Sequence, residues 1–72
     1  MSKFKKILAN ILAEDMEFEN IPVIELYKHK GDNTITVYYS YPIEGFTDIQ
    51  NRGSYIITLS RIIEYQINHN LN

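Results

Sequence analysis

The stretch PVIELYKHKGDNTITVYYSYP, residues 22–42, decides how this chain is read. Two runs rich in β-branched and aromatic residues, Val23–His29 and Thr34–Tyr41, flank the turn-forming Lys30-Gly31-Asp32-Asn33, and Pro22 and Pro42 close the outer ends. That arrangement predicts a β-hairpin. Its register follows from side-chain parity, because directly opposite residues share a face and a one-residue slip inverts the whole apolar set. A two-residue loop at Gly31-Asp32, with glycine supplying the positive φ of a type II′ turn, sets Lys28 opposite Ile35, Leu26 opposite Val37 and Ile24 opposite Tyr39. The strong hydrophobes then share one face, with Lys28 at its rim. The other face carries Val23/Ser40, Glu25/Tyr38, Tyr27/Thr36 and His29/Thr34. A loop of Asp32-Asn33 keeps that parity. A three-residue loop would set Ile24 against Ser40 and split the apolar set, so it is rejected.

Upstream, Ser2 is placed to cap a helix whose Phe4, Ile7, Leu8, Ile11 and Leu12 form an i, i+3, i+4, i+7, i+8 stripe. Its charges oppose the macrodipole, with Lys3, Lys5 and Lys6 at the positive end and Glu14 and Asp15 at the negative end. The mismatch costs up to about 1 kcal/mol, less than burial of a single large aliphatic side chain returns. Then comes Glu14-Asp15-Met16-Glu17-Phe18-Glu19, with four acids, no base and two interleaved hydrophobes. The plain reading is a helix end and connector with Met16 and Phe18 tucked under the sheet. The functional reading is an acidic-aromatic patch that meets a basic surface on a partner.

Downstream, Pro42-Ile43-Glu44-Gly45-Phe46 reads as a loop and Thr47-Asp48-Ile49-Gln50 as a capping box. The segment Ser54–Leu71 places Ile56, Leu59, Ile63 and Ile67 on one helical stripe, widened by Tyr55 and Ile62, and helix is the preferred reading. A third strand over Tyr55–Leu59 is the alternative, because Tyr-Ile-Ile-Thr-Leu is β-favouring. The expected architecture is a single small α+β domain over residues 1–72, in the order helix, β-hairpin, helix (α-β-β-α), with a short third strand before the last helix as an option.

A chain of 72 residues is near the lower limit for a self-sufficient core. It contains no cysteine, which excludes disulfides and thiolate metal sites and leaves packing or self-association to supply stability. No signal peptide or run of about 20 apolar residues is evident, so a cytoplasmic location is expected, in the host cytoplasm if the chain is viral. The net charge of −2 argues against a dedicated duplex-DNA binder. Ile, Asn, Tyr, Lys and Phe total 33 residues against 9 for Gly, Ala, Arg and Pro. This bias towards A/T-rich codons points to a low-GC bacterium, its phage or an archaeal virus.

Catalytic chemistry finds no foothold. His29 and His69 sit among ordinary polar neighbours, and Ser40, Ser54 and Ser60 carry no nucleophile motif. We expect no enzyme activity, no cofactor and no metal site. Gly31, Gly45 and Gly53 form no phosphate-cradling loop, and Arg52-Gly53-Ser54 reads as a loop that needs glycine sooner than as an anion site. With a third strand the order α-β-β-β-α resembles that of double-stranded RNA-binding domains. The resemblance ends at topology, because those domains place a lysine cluster at the start of the last helix, where this chain has only Arg52 and Arg61. Single-strand binding by stacking on Tyr27 and Tyr38 is opposed by the neighbouring Glu25.

The expected function is non-enzymatic protein binding, in its most concrete form a small phage- or virus-encoded inhibitor or adaptor acting on a host protein such as a nucleic-acid-handling complex. The candidate partner-binding residues are Glu14, Asp15, Glu17, Phe18, Glu19, Tyr27 and Tyr38. Neutralising the four acids should abolish binding and leave the fold intact. A homodimer joined through the hairpin edge near Tyr27 and Tyr38 is also expected. The alternatives are a small nucleic-acid-binding domain dependent on Lys3, Lys5, Lys6, Arg52 and Arg61, and a structural self-assembling subunit. No membrane partner is expected.

Overall fold

A computed structural model describes residues 2–42 and 50–70. The chain runs α1 (Lys3–Asp15), β1 (Val23–His29), β2 (Thr34–Pro42), β3 (Gln50–Thr58) and α2 (Leu59–Asn68). The strands form one antiparallel sheet in the order β1-β2-β3. The α+β class, the first helix and the hairpin are as the sequence predicts. The third strand is present and replaces the first part of the helix preferred over Ser54–Leu71. The loop at 43–46, most of the capping box and Leu71 lie outside the described residues.

Helix α1 starts where expected. Ser2 is extended, and its Oγ accepts from the Lys5 amide at 3.2 Å, satisfying one of the unpaired donors of the first turn. Ile7, Leu8, Ala9, Ile11 and Leu12 are buried, and Phe4 packs at the edge of the same core. The helix ends in a Schellman motif. The Glu17 amide donates to the Glu14 carbonyl at 3.3 Å and the Phe18 amide to the Ala13 carbonyl at 3.0 Å, with Glu17 in the left-handed region at φ 56°.

The hairpin corrects the sequence reading at its turn and again at the Ile24–Leu26 step of β1. The loop has three residues, the length rejected above. The Lys30 amide donates to the Thr34 carbonyl and the Thr34 amide to the Gly31 carbonyl, both at 3.0 Å. Gly31, Asp32 and Asn33 all have positive φ, at 52°, 44° and 61°. Asp and Asn tolerate that region better than other side chains, so the sequence accommodates the longer loop. His29, Lys28 and Tyr27 accordingly pair with Ile35, Thr36 and Val37, one residue off the expected register. A β-bulge between Ile24 and Leu26 then absorbs one residue and restores Ile24 opposite Tyr39 and Val23 opposite Ser40. The core is not split, because the turn and the bulge offset each other.

The bulge exchanges two side chains. Leu26 turns to the face opposite the core and is 44% exposed, whereas Tyr27 turns towards α1 and meets Phe4 edge-on at 5.1 Å between ring centroids. Tyr27 and Tyr38 therefore lie on opposite faces of the sheet, not on one.

Both helices cover a single face of the sheet. Ile7, Leu8, Ile11 and Leu12 of α1, Ile62 and Tyr65 of α2, and Ile24, Ile35, Val37, Tyr39 and Ile57 of the sheet form one cluster. Helix α1 lies over β1 and α2 over β3, and the helices touch. Thr58, the last residue of β3, caps α2 by accepting from the Arg61 amide at 3.1 Å. The Leu59 amide, another unpaired donor of that first turn, is met by the Asn33 carbonyl at 2.9 Å. Only part of the expected stripe faces the core: Ile62 is buried and Tyr55 and Leu59 pack against it, but Ile56, Ile63 and Ile67 are 63%, 55% and 68% exposed, and Ile57 and Tyr65 are buried in their place. A Cβ on Gly53 would stand 2.8 Å from the Tyr39 hydroxyl, so glycine makes room here for the Tyr39 ring.

Candidate binding surface

Apart from Tyr27, which lies against Phe4 on the covered side of the sheet, the expected site residues fall in three places. Glu14 and Asp15, at the C-terminal end of α1, face Arg61 of α2. The Arg61 Nη2 lies 2.9 Å from Asp15 Oδ1 and 3.2 Å from Glu14 Oε1, and Nε donates to Asp15 Oδ1 at 3.1 Å. Glu64 Oε1 is 3.4 Å from Nη1, and His69 Nε2 is 3.2 Å from Glu14 Oε2. Two charges that oppose their own helix dipoles, acids at the end of α1 and a guanidinium in the first turn of α2, are thereby neutralised against each other. Asp15 holds the Arg61 guanidinium protonated more firmly than usual. These two acids brace α2 against α1, so neutralising all four acids would weaken the fold along with any patch.

Tyr55 donates to Asp15 Oδ2 at 3.2 Å, and burial, then that carboxylate, push its phenol above the ordinary 10.0. Burial, then Glu14, raise Tyr65 in the same direction. A group whose folded-state pKa is raised contributes stability that is intact below its unfolded value and is lost as pH climbs through the folded one. Stability should therefore fall above about pH 10. Tyr55→Phe should lower the melting temperature at pH 7, through the lost hydrogen bond, yet flatten the alkaline decline. Melting curves from about pH 8 to 12 check both signs.

Phe18 stacks on Tyr41 at 4.3 Å and tilts against Tyr39 at 5.8 Å, and the Asn20 amide donates to the Tyr41 hydroxyl at 3.0 Å. The connector is thus fastened to the end of β2, with Glu17 and Glu19 exposed beside it. Because Glu17 occupies a left-handed position that favours glycine, Glu17→Gly should raise stability by up to about 1 kcal/mol, read from a urea titration.

The third place is the uncovered face of the sheet. Val23 and Leu26 of β1 and Ile56 of β3 are 43%, 44% and 63% exposed there, around the half-buried Tyr38. A shallow groove of about 490 Å³ lies there, lined by Glu25, Tyr38, Tyr39, Arg52, Gly53 and Ser54. Glu25 sits at the bulge, and its carboxylate accepts from the buried Ser40 hydroxyl at 2.8 Å. Arg52, at the other side, makes no ion pair among the described residues. The groove was missed from sequence because it needs Arg52, Gly53 and Ser54 of β3 beside β2. Among the described residues no three His, Asp or Glu side chains could share a metal ion, and no helix is long and apolar enough to cross a membrane. No known family model, curated protein or solved structure matches the chain.

Proposed function

We propose that this protein is a non-enzymatic binding module that docks onto another protein through the uncovered face of its sheet. The observation that carries the reading is the contrast between the two faces. One is closed by both helices over a continuous core, and the other presents Val23, Leu26, Tyr38 and Ile56 around a groove with Glu25 on one side and Arg52 on the other. Exposed apolar side chains flanking a polar groove, with tyrosine at the centre, are the composition of a protein interface. The short chain and its A/T-rich coding bias suit a phage- or virus-encoded inhibitor or adaptor working in a host cytoplasm.

The test is capture of partners from lysate by the tagged protein beside a Val23→Lys/Leu26→Lys variant of unchanged circular dichroism. One stoichiometric protein, lost in the variant, supports the reading, and retention in the variant refutes this face as the site. The acidic patch is examined separately with Glu17→Gln/Glu19→Gln, which spares the Arg61 contacts. The α-β-β-β-α order keeps nucleic acid as the second reading. That reading predicts binding weakened by salt and by changes at Lys3, Lys5, Lys6 and Arg52, since Arg61 is engaged by Glu14 and Asp15.

A further inference from the structure

The two edges of the sheet are unequally protected. Edge β1 is bulged at Glu25, exposes Lys28, and has the Glu25 carbonyl approached by Lys5 Nζ at 3.5 Å. Bulges and lysines are the usual devices that stop a strand edge from pairing with another chain. Edge β3 has none of them. It pairs with β2 without a break from Gln50 to Thr58, and Arg52 is its only charged residue. A long, regular, nearly uncharged edge is a template for a further strand.

The helix above that edge carries a matching apolar surface. On α2, Arg61 and His69 reach Glu14 of α1. At 3.6 residues per turn, Ile63 and Ile67 lie about 180° around the helix from that side, so they project away from α1 and beyond β3. Together with Ile56 they are the three most exposed large hydrophobic residues described, at 55%, 68% and 63%. Strand edge and isoleucine pair occupy one side of the molecule.

We infer that this side is a self-association surface, occupied by a second copy of the chain. Antiparallel pairing of β3 with its two-fold mate makes a six-stranded sheet, β1-β2-β3-β3-β2-β1, with all four helices on one face. The same rotation brings the two α2 helices together, so each copy supplies the apolar stripe that the other lacks a cover for. The two copies of Arg52 fall at opposite ends of the paired strands and do not repel. Size agrees as well. A wall on the order of 30 Å long and 20 Å high gives about 600 Å² per protomer, or about 1,200 Å² in all, the lower end of stable interfaces. Three strands of the uncovered face, about 14 Å by 30 Å, offer only about 400 Å² per protomer. The dimer expected through the hairpin is thus moved from β1 to β3, and it leaves Val23 and Leu26 free for a different partner.

The experiment is light scattering on the full chain over a range of concentrations, beside an Ile63→Lys/Ile67→Lys variant. The expected mass is about 17 kDa, twice the 8.5 kDa chain, falling to the single-chain value in the variant. Because the chain has no cysteine, a lone Ile63→Cys should close an interchain disulfide on mild oxidation, whereas Leu26→Cys should not. A single-chain mass at every concentration would overturn the inference. So would a dimer that survives the lysine variant, or cross-linking through Leu26→Cys alone. Should the lysine variant fail to fold, the cysteine pair decides. Loss of partner capture in the Val23/Leu26 variant bears on neither result, so the two proposals fail separately.

Discussion

Leu8→Ala should cost about 3–5 kcal/mol, the range for a large aliphatic side chain removed from a site that cannot collapse. Leu8 is 0% exposed on the buried face of α1, within the cluster that joins both helices to the sheet. Its neighbours Ile11 and Leu12 are also 0% exposed, so no loose side chain is at hand to fill the void. A chain of 72 residues has a total stability of about 4–11 kcal/mol, so this one change removes between about a quarter and all of it. With a urea slope near 1 kcal/mol per molar, the midpoint should fall by about 3 M or the variant should be unfolded at the outset. Ile21→Ala, at a position 53% exposed, should move it by about 0.5 M or less and serves as the control. A Leu8 variant that lost under about 1 kcal/mol would mean that α1 is not the lid of the core.

Arg61→Met should cost about 1–2 kcal/mol at low salt and clearly less in 1 M salt. The substitution keeps much of the aliphatic stem and removes the guanidinium, whose side chain is 21% exposed. Each charge-assisted hydrogen bond from Arg61 to Asp15 and Glu14 is then lost, and two carboxylates remain at the negative end of α1 with the dipole against them. Partial exposure holds the loss below that of a buried ion pair. In the double variant with Asp15→Asn, the second change should cost much less than it does alone, because its partner has already gone. Additive losses in that cycle would show that the pairing seen between α1 and α2 contributes nothing.

What could be read in advance was whatever rests on local rules. The Ser2 cap and the Phe4–Leu12 stripe are separated by helical spacing alone, and α1 follows from them. The hairpin follows from two β-rich runs around Gly31-Asp32-Asn33. The bulge at Glu25 does not, because a period of two has no marker for an inserted residue, and Leu26 and Tyr27 are both apolar enough for either face. The third strand was hidden by coincidence. Ile56, Leu59, Ile63 and Ile67 fall at helical intervals, yet the chain changes from strand to helix between Thr58 and Leu59. Thr58, three residues before Arg61, was the available sign, since a threonine there caps a helix start better than it continues one. The Arg61 brace and the Glu25–Arg52 groove join residues 46 and 27 positions apart, counted from Asp15 and Glu25. Neither pairing is encoded in local spacing, and both exist only once β3 is placed.

The contact between the Leu59 amide and the Asn33 carbonyl ties the start of the last helix to the tip of the first hairpin. Chain connectivity at that spot is therefore worth more than its surface position suggests. New termini placed between Gly31 and Asn33, normally the favoured place to cut a hairpin, would leave a helix 26 residues downstream without its first anchor. The first turn of α2 is thus held from two sides, by its own Thr58 cap and by a carbonyl from the middle of the chain.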